Sequence, residues 1–203
     1  MSTPLASLKA ELGALGDPKK AKGVAALFKT GPGQYGEGDI FLGIPVPLQR
    51  RLARKYRTLG LKDLAALLKS GVHEERLVAL AILEQQYASG DEGTKRACFD
   101  FYVQHLGRVN NWDLVDASAH QIVGAHLLER DRTLLRRLAK SPVLWERRVA
   151  IVSTYAFIRA GESAPTFELA LQHRRREDAQ GRTRTRTRRN CAGFSATPQE
   201  LEE

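Results

Sequence analysis

Cysteine is nearly missing from this chain: Cys98 and Cys191 are the only two among 203 residues. Two thiols in unlike contexts make no disulfide framework. The five histidines (His73, His105, His120, His126 and His173) are scattered, with neither an HExxH motif nor paired CxxC elements. No zinc site is read from such spacing, and neither a metal nor an organic cofactor is expected. Long apolar runs are absent as well. Nothing approaches the roughly 18 consecutive apolar residues that cross a bilayer, and the opening MSTPLASLKAELGALG lacks the apolar centre of a signal peptide. A cytoplasmic protein off the membrane is the expectation. Strand-like alternation is also lacking, which excludes a sheet as the organising element.

What the chain does have is positive charge and helical periodicity. Thirty-two Lys and Arg stand against 23 Asp and Glu, a net charge of +9. Acidic partners are favoured by that balance, nucleic acid first. Residues 171–203 hold eight arginines and five acids, so the part before them is basic in its own right. With 42% hydrophobic and 27% charged residues, composition is that of a globular protein able to bury a full core.

Leu5, Leu8, Leu12 and Leu15 recur at helical spacing behind a start made by Ser2 or Thr3 with Pro4. Asp17-Pro18 starts a second helix through Val24, Leu27 and Phe28. The run TGPGQYGEGD (30–39) ends it, and Pro45 and Pro47 introduce a third. Further helices are predicted over 61–69, 73–88, 92–106, 110–128, 131–139, 142–160 and 164–172. EERLVALAIL (74–83) resembles WERRVAIVST (145–154), with Arg76 aligned to Arg147, and WDLVDASAHQIV (112–123) sits about midway, so equivalent helices recur every 34 to 37 residues. A helical period of that length suggests stacked helix pairs of the HEAT or armadillo kind, forming a curved solenoid with a concave, basic face. The last thirty residues lose the periodicity and carry an alternating Arg-Thr run. We therefore expect one domain over 1–170 and a basic, low-complexity, disordered tail over 171–203.

Two stretches invite chemistry. In RVNNWDLVDASAHQIVG (108–124), Asn110 or Asn111 is placed to cap a helix and Asp113 to meet its dipole. Asp116 needs another explanation. It follows Trp112 by four residues, so both share a helical face, while Leu114, Val115 and Ile122 point elsewhere as core. A carboxylate beside an indole suits a groove better than a core. In LWERRVAIVSTYAFIRAG (144–161), Val149, Ala150, Ile151 and Val152 read as core. Arg147 and Arg148 set cations near a helix N-terminus, against its dipole, where phosphate contact is one purpose and solvation of a capping turn the other. The glycine-rich run has no strand before it and no Lys-Ser/Thr, so it is not read as a nucleotide loop.

FKTGPGQYGEGDIFLGIPVP (28–47), HEERLVALAIL (73–83), NNWDLVDASAHQIVG (110–124) and LWERRVAIVSTYAFIR (144–159) together resemble the AlkD-type DNA alkylation repair proteins. That resemblance implies an all-α fold of HEAT-like repeats and glycosylase action on duplex DNA carrying N3- or N7-alkylated purines. By motif position it makes Asp116 the catalytic carboxylate and Trp112 an aromatic of the cleft. Arg148 becomes the arginine near the damaged nucleotide's backbone, with Arg147 and Tyr35 as further cleft residues. A monofunctional, monomeric hydrolase is implied, since no lysine accompanies WDLVD. The resemblance stops after FELA (167–170), where the family continues into helices bearing a second cleft tryptophan. Here only Trp112 and Trp145 exist, as if by a frameshift or a misread gene end. The competing expectations are a non-catalytic helical-repeat binder of nucleic acid, an inactive truncated relative, and a protein-interaction scaffold.

Overall fold

A computed structural model describes residues 3–179 of the chain. Those residues form an all-α, helical-repeat array with no strand among them. The first three helices are α1 (Pro4–Ala14), α2 (Pro18–Leu27) and α3 (Val46–Lys55). Then follow α4 (Leu61–Leu68), α5 (His73–Ser89), α6 (Glu92–Gln104) and α7 (Trp112–Ala119). The last four are α8 (Thr133–Ala139), α9 (Leu144–Ser153), α10 (Tyr155–Arg159) and α11 (Ala164–Ala179). The three stretches that repeat in sequence lie on α5, α7 and α9. Each packs on the next, and α3 extends the row by packing on α5. Helices α4, α6 and α8 pack on this row, α4 and α6 against α5 and α8 against α9. The repeat is thus a structural one. One face of each row helix covers its neighbours in the row and another covers the backing helix, so neither layer buries its apolar side alone.

Caps and starts follow the sequence closely. Thr3 accepts the amide of Ala6 at 3.2 Å, Asp17 those of Lys19 and Lys20, and Asp91 that of Thr94 at 2.7 Å. Leu8 and Leu12 are fully buried, with Leu5 and Leu15 packed beside the core. The long helix read over 110–128 is interrupted: α7 opens at Ala119 into a π-turn, His120–Gly124. The helix read over 142–160 breaks between α9 and α10 at Thr154. There the Ser153 hydroxyl bonds back to Val149 O (2.6 Å) and the Thr154 hydroxyl to Ile151 O (2.7 Å). Such back-bonding loosens the regular ladder and bends a helix. Ile151 and Val152, read as core, are half-buried and lie against it, whereas Val149 and Ala150 are completely enclosed. Helix α11 carries the array past residue 170, to Ala179. The Arg-Thr run and the rest of the expected tail from 180 onward lie outside the described residues.

The glycine-rich segment between α2 and α3 is tied to the start of α5. Ile40 and Val72 form an isolated parallel bridge, with His73 N donating to Ile40 O at 2.8 Å. Beside it the buried Glu74 carboxylate accepts the amides of Gly43 (2.8 Å), Leu42 (3.0 Å) and Ile44 (3.4 Å). Gly43 has φ +75°, and a Cβ there would stand 2.4 Å from Ala21 N, so this position needs glycine. Glu74→Gln replaces one accepting oxygen by a donor facing buried amides. The loss expected is about 1–3 kcal/mol, read as a lower denaturant midpoint at unchanged slope.

Candidate active site

Helix α7 presents Asp116 on the side that meets α9, and α9 answers with Arg148. The guanidinium grips the carboxylate with two bonds, Nε to Oδ1 at 2.8 Å and Nη2 to Oδ2 at 2.6 Å. Both side chains keep about two fifths of their surface open, 39% for Asp116 and 40% for Arg148. This is an accessible, forked ion pair. The hydrogen bonds and charge of Asp116 hold Arg148 above its ordinary value despite partial burial, with Tyr35 adding to the effect.

One turn earlier on α7, Trp112 lies flat on Phe28, ring centroids 5.1 Å apart and planes inclined by 16°. The indole is still 39% exposed. Tyr35, carried by the glycine-rich segment, meets Trp145 of α9 edge to face at 5.2 Å. Asp116 and Arg148 thus meet where α7 packs on α9, Tyr35 reaches the start of α9 through Trp145, and Trp112 stands one turn before Asp116 on α7. Arg147 is placed differently. Its Nη1 donates to the carbonyls of Ser141 (2.9 Å) and Pro142 (2.8 Å), fastening the turn that leads into α9. A cavity of about 340 Å³ runs from Trp112 between α2, α3 and α5, lined chiefly by apolar side chains such as Phe28, Ile44, Leu77 and Leu80.

Beneath Trp112 sits a set of polar groups that sequence reasoning passed over. His73 Nε2 lies 2.6 Å from Asp113 Oδ2 and its Nδ1 lies 3.4 Å from Asp39 Oδ2. Arg76, 2% exposed, pairs with Asp39 at 2.5 Å and donates to Asn110 at 2.8 Å. Asp113 also accepts Leu114 N at 2.8 Å, and Asn111, fully buried, caps α7 by accepting Trp112 N at 2.8 Å. Asp113 thus does more than meet the dipole: it links α7 to α5. A signal was present in HEER (73–76). Four polar residues head a run of unbroken apolar residues that leaves the helix no wet face, so they must pair internally.

No helix among the described residues is long and apolar enough to cross a membrane. No group of three His, Cys, Asp or Glu that could hold a metal ion occurs among them. Cys98 is a buried free thiol, raised above its ordinary value by burial.

The fold and the site together define a helical-repeat protein with an accessible acid and a half-open aromatic wall on its row of repeated helices. Residues 8–180 match the family model described as DNA alkylation repair enzyme, and the chain belongs to that family. No curated protein matches it.

Proposed function

We propose that this DNA alkylation repair enzyme is a monofunctional glycosylase that hydrolyses the N-glycosidic bond of cationic N3- and N7-alkylpurines in duplex DNA. The observation that carries the reading is the accessible Asp116–Arg148 pair one helical turn from the exposed face of Trp112. Alkylation at N3 or N7 leaves the purine positively charged and a better leaving group. As the C1′–N bond breaks, the base departs with the bonding electrons and charge builds on the sugar. The Asp116 carboxylate opposes that charge and orients water, which adds at C1′ and gives up its proton to the carboxylate or to solvent. Trp112, braced from behind by Phe28, offers its free surface to the cationic base. A cation–π contact of that sort contributes roughly 0.5–2 kcal/mol. Arg148 holds Asp116 in place until a DNA phosphate competes for the guanidinium, at which point the carboxylate is released toward the sugar.

No organic cofactor or metal is called on, a monomer suffices, and a cytoplasmic location agrees with the reading. Tyr35 joins the same cleft through Trp145, and Arg147, which lines one pocket with Arg148, also fastens the turn before α9. The test is formation of abasic sites in methylated duplex, scored by alkaline strand cleavage. Cleavage sites at purines are expected with the wild type and roughly tenfold fewer with Arg148→Ala, from lost phosphate contact and a misplaced carboxylate. A non-catalytic binder would leave the strands intact at every protein concentration while its affinity fell steeply with salt.

A further inference from the structure

His73 joins three parts of the chain that are remote in sequence. Its ring lies between Asp113 of α7 and Asp39 of the glycine-rich segment, with Arg76 of α5 beside it. Phe28 and Phe41 cover it, both with centroids 4.8 Å away. From α3, which packs on the same helix, Arg50 is directed to Glu84 further along α5. The charged groups facing the ring are therefore two carboxylates and one guanidinium. Arg76 already answers Asp39, and an imidazolium completes the balance by answering Asp113. Only the doubly protonated ring can donate to both carboxylates at once. Phe28, packed on the same imidazole, is the support on which Trp112 lies.

We propose that His73 is a positioning residue for the cleft, a clamp that holds the N-terminus of α7 to the glycine-rich segment and so fixes Trp112 on Phe28. The role rests on the glycosylase reading only for its consequence in catalysis; the clamp itself does not. Burial opposes charge on the ring, but the bonds to Asp113 and Asp39 outweigh it and raise His73 above its ordinary value. Stability from the charged clamp is complete below the unfolded-state value and is lost as pH rises through the higher folded-state value. Losing the proton leaves one N–H for two carboxylates. The longer contact, to Asp39, is the one surrendered: Nδ1 then accepts from Arg76 Nη2 at 3.3 Å, and of these side chains Arg76 alone still holds Asp39 and the segment that bears Phe41.

Trp145→Phe makes Trp112 the sole tryptophan, so its emission reports the clamp whether or not base is excised. Emission is expected to change as pH rises above the ordinary imidazole value, where the clamp loses its proton. Adding His73→Gln should remove that titration, and Asp39→Asn should do the same while the ring and Asp113 stay in place; this serves if His73→Gln does not fold. In otherwise wild-type protein, His73→Gln should slow single-turnover excision roughly 10- to 100-fold, with affinity for undamaged duplex unchanged. Emission that is flat with pH in the parent, or titrates identically in both variants, overturns the clamp. Absence of excision by the wild type would overturn the glycosylase reading instead, and the emission titration would still decide the clamp.

Discussion

Asp116→Asn is expected to abolish release of N7-methylguanine from methylated duplex DNA, a fall of at least about 10²-fold, while affinity for undamaged duplex stays equal or rises. The amide has the size of the carboxylate and retains an oxygen for Arg148, so folding is undisturbed. What disappears, under the proposed mechanism, is the negative charge that would meet the developing cation on the sugar. Freed from a forked ion pair at 2.6 and 2.8 Å, the Arg148 guanidinium turns more readily to phosphate, which accounts for the gain in affinity. Filter binding beside a release assay checks both halves. Equal release by mutant and wild type would remove Asp116 from the mechanism.

The second large effect concerns folding. Gly124 ends the π-turn and lies directly against the end of α9. A Cβ built there stands 2.2 Å from Ser153 O and 2.9 Å from Ala156 Cβ. The Ser153 oxygen cannot withdraw, because Ser153 is fully buried and the oxygen belongs to the backbone. Gly124→Ala must then push α9 away from α7, the two helices that carry Arg148 and Asp116. A loss of about 3 kcal/mol or more is expected, a fall in Tm of roughly 10 °C for a chain of this size. Excision at permissive temperature should fall with it. A variant that melts with the wild type would mean that α9 does not approach so closely.

The same glycine indicates what the sequence could express. Leucine and valine spacing located the helices, and the internal repeat located the row formed by α5, α7 and α9, because helical periodicity is a local property written every three or four residues. Asp116 and Trp112 could be placed together for the same reason, lying four apart on one helix. That Asp116 meets Arg148 was not legible by spacing, since it depends on how α7 packs against α9 across 32 residues. The clamp at His73 was missed because its partners come from positions 39 and 113, and a scattered histidine carries no spacing signal. The π-turn and the break at Thr154 were equally silent, being set by Gly124 against Ser153 and by hydroxyls bonding back to their own helix. Phe28, read as the end of α2, is buried against Phe41, His73 and Trp112. Asp17, by contrast, acts locally and caps the helix it was read to start, while Thr3 and Asn111 prove to be the caps where the sequence offered two neighbours each.

The most direct measurement is chromatographic detection of free bases after wild-type protein is incubated with dimethyl sulfate-treated duplex DNA. Release of N7-methylguanine and N3-methyladenine, with an equal number of abasic sites and no release of unmodified purine, is the expected result. Methylated bases that stay in the DNA while the protein binds the duplex would contradict the account and make the chain a binder.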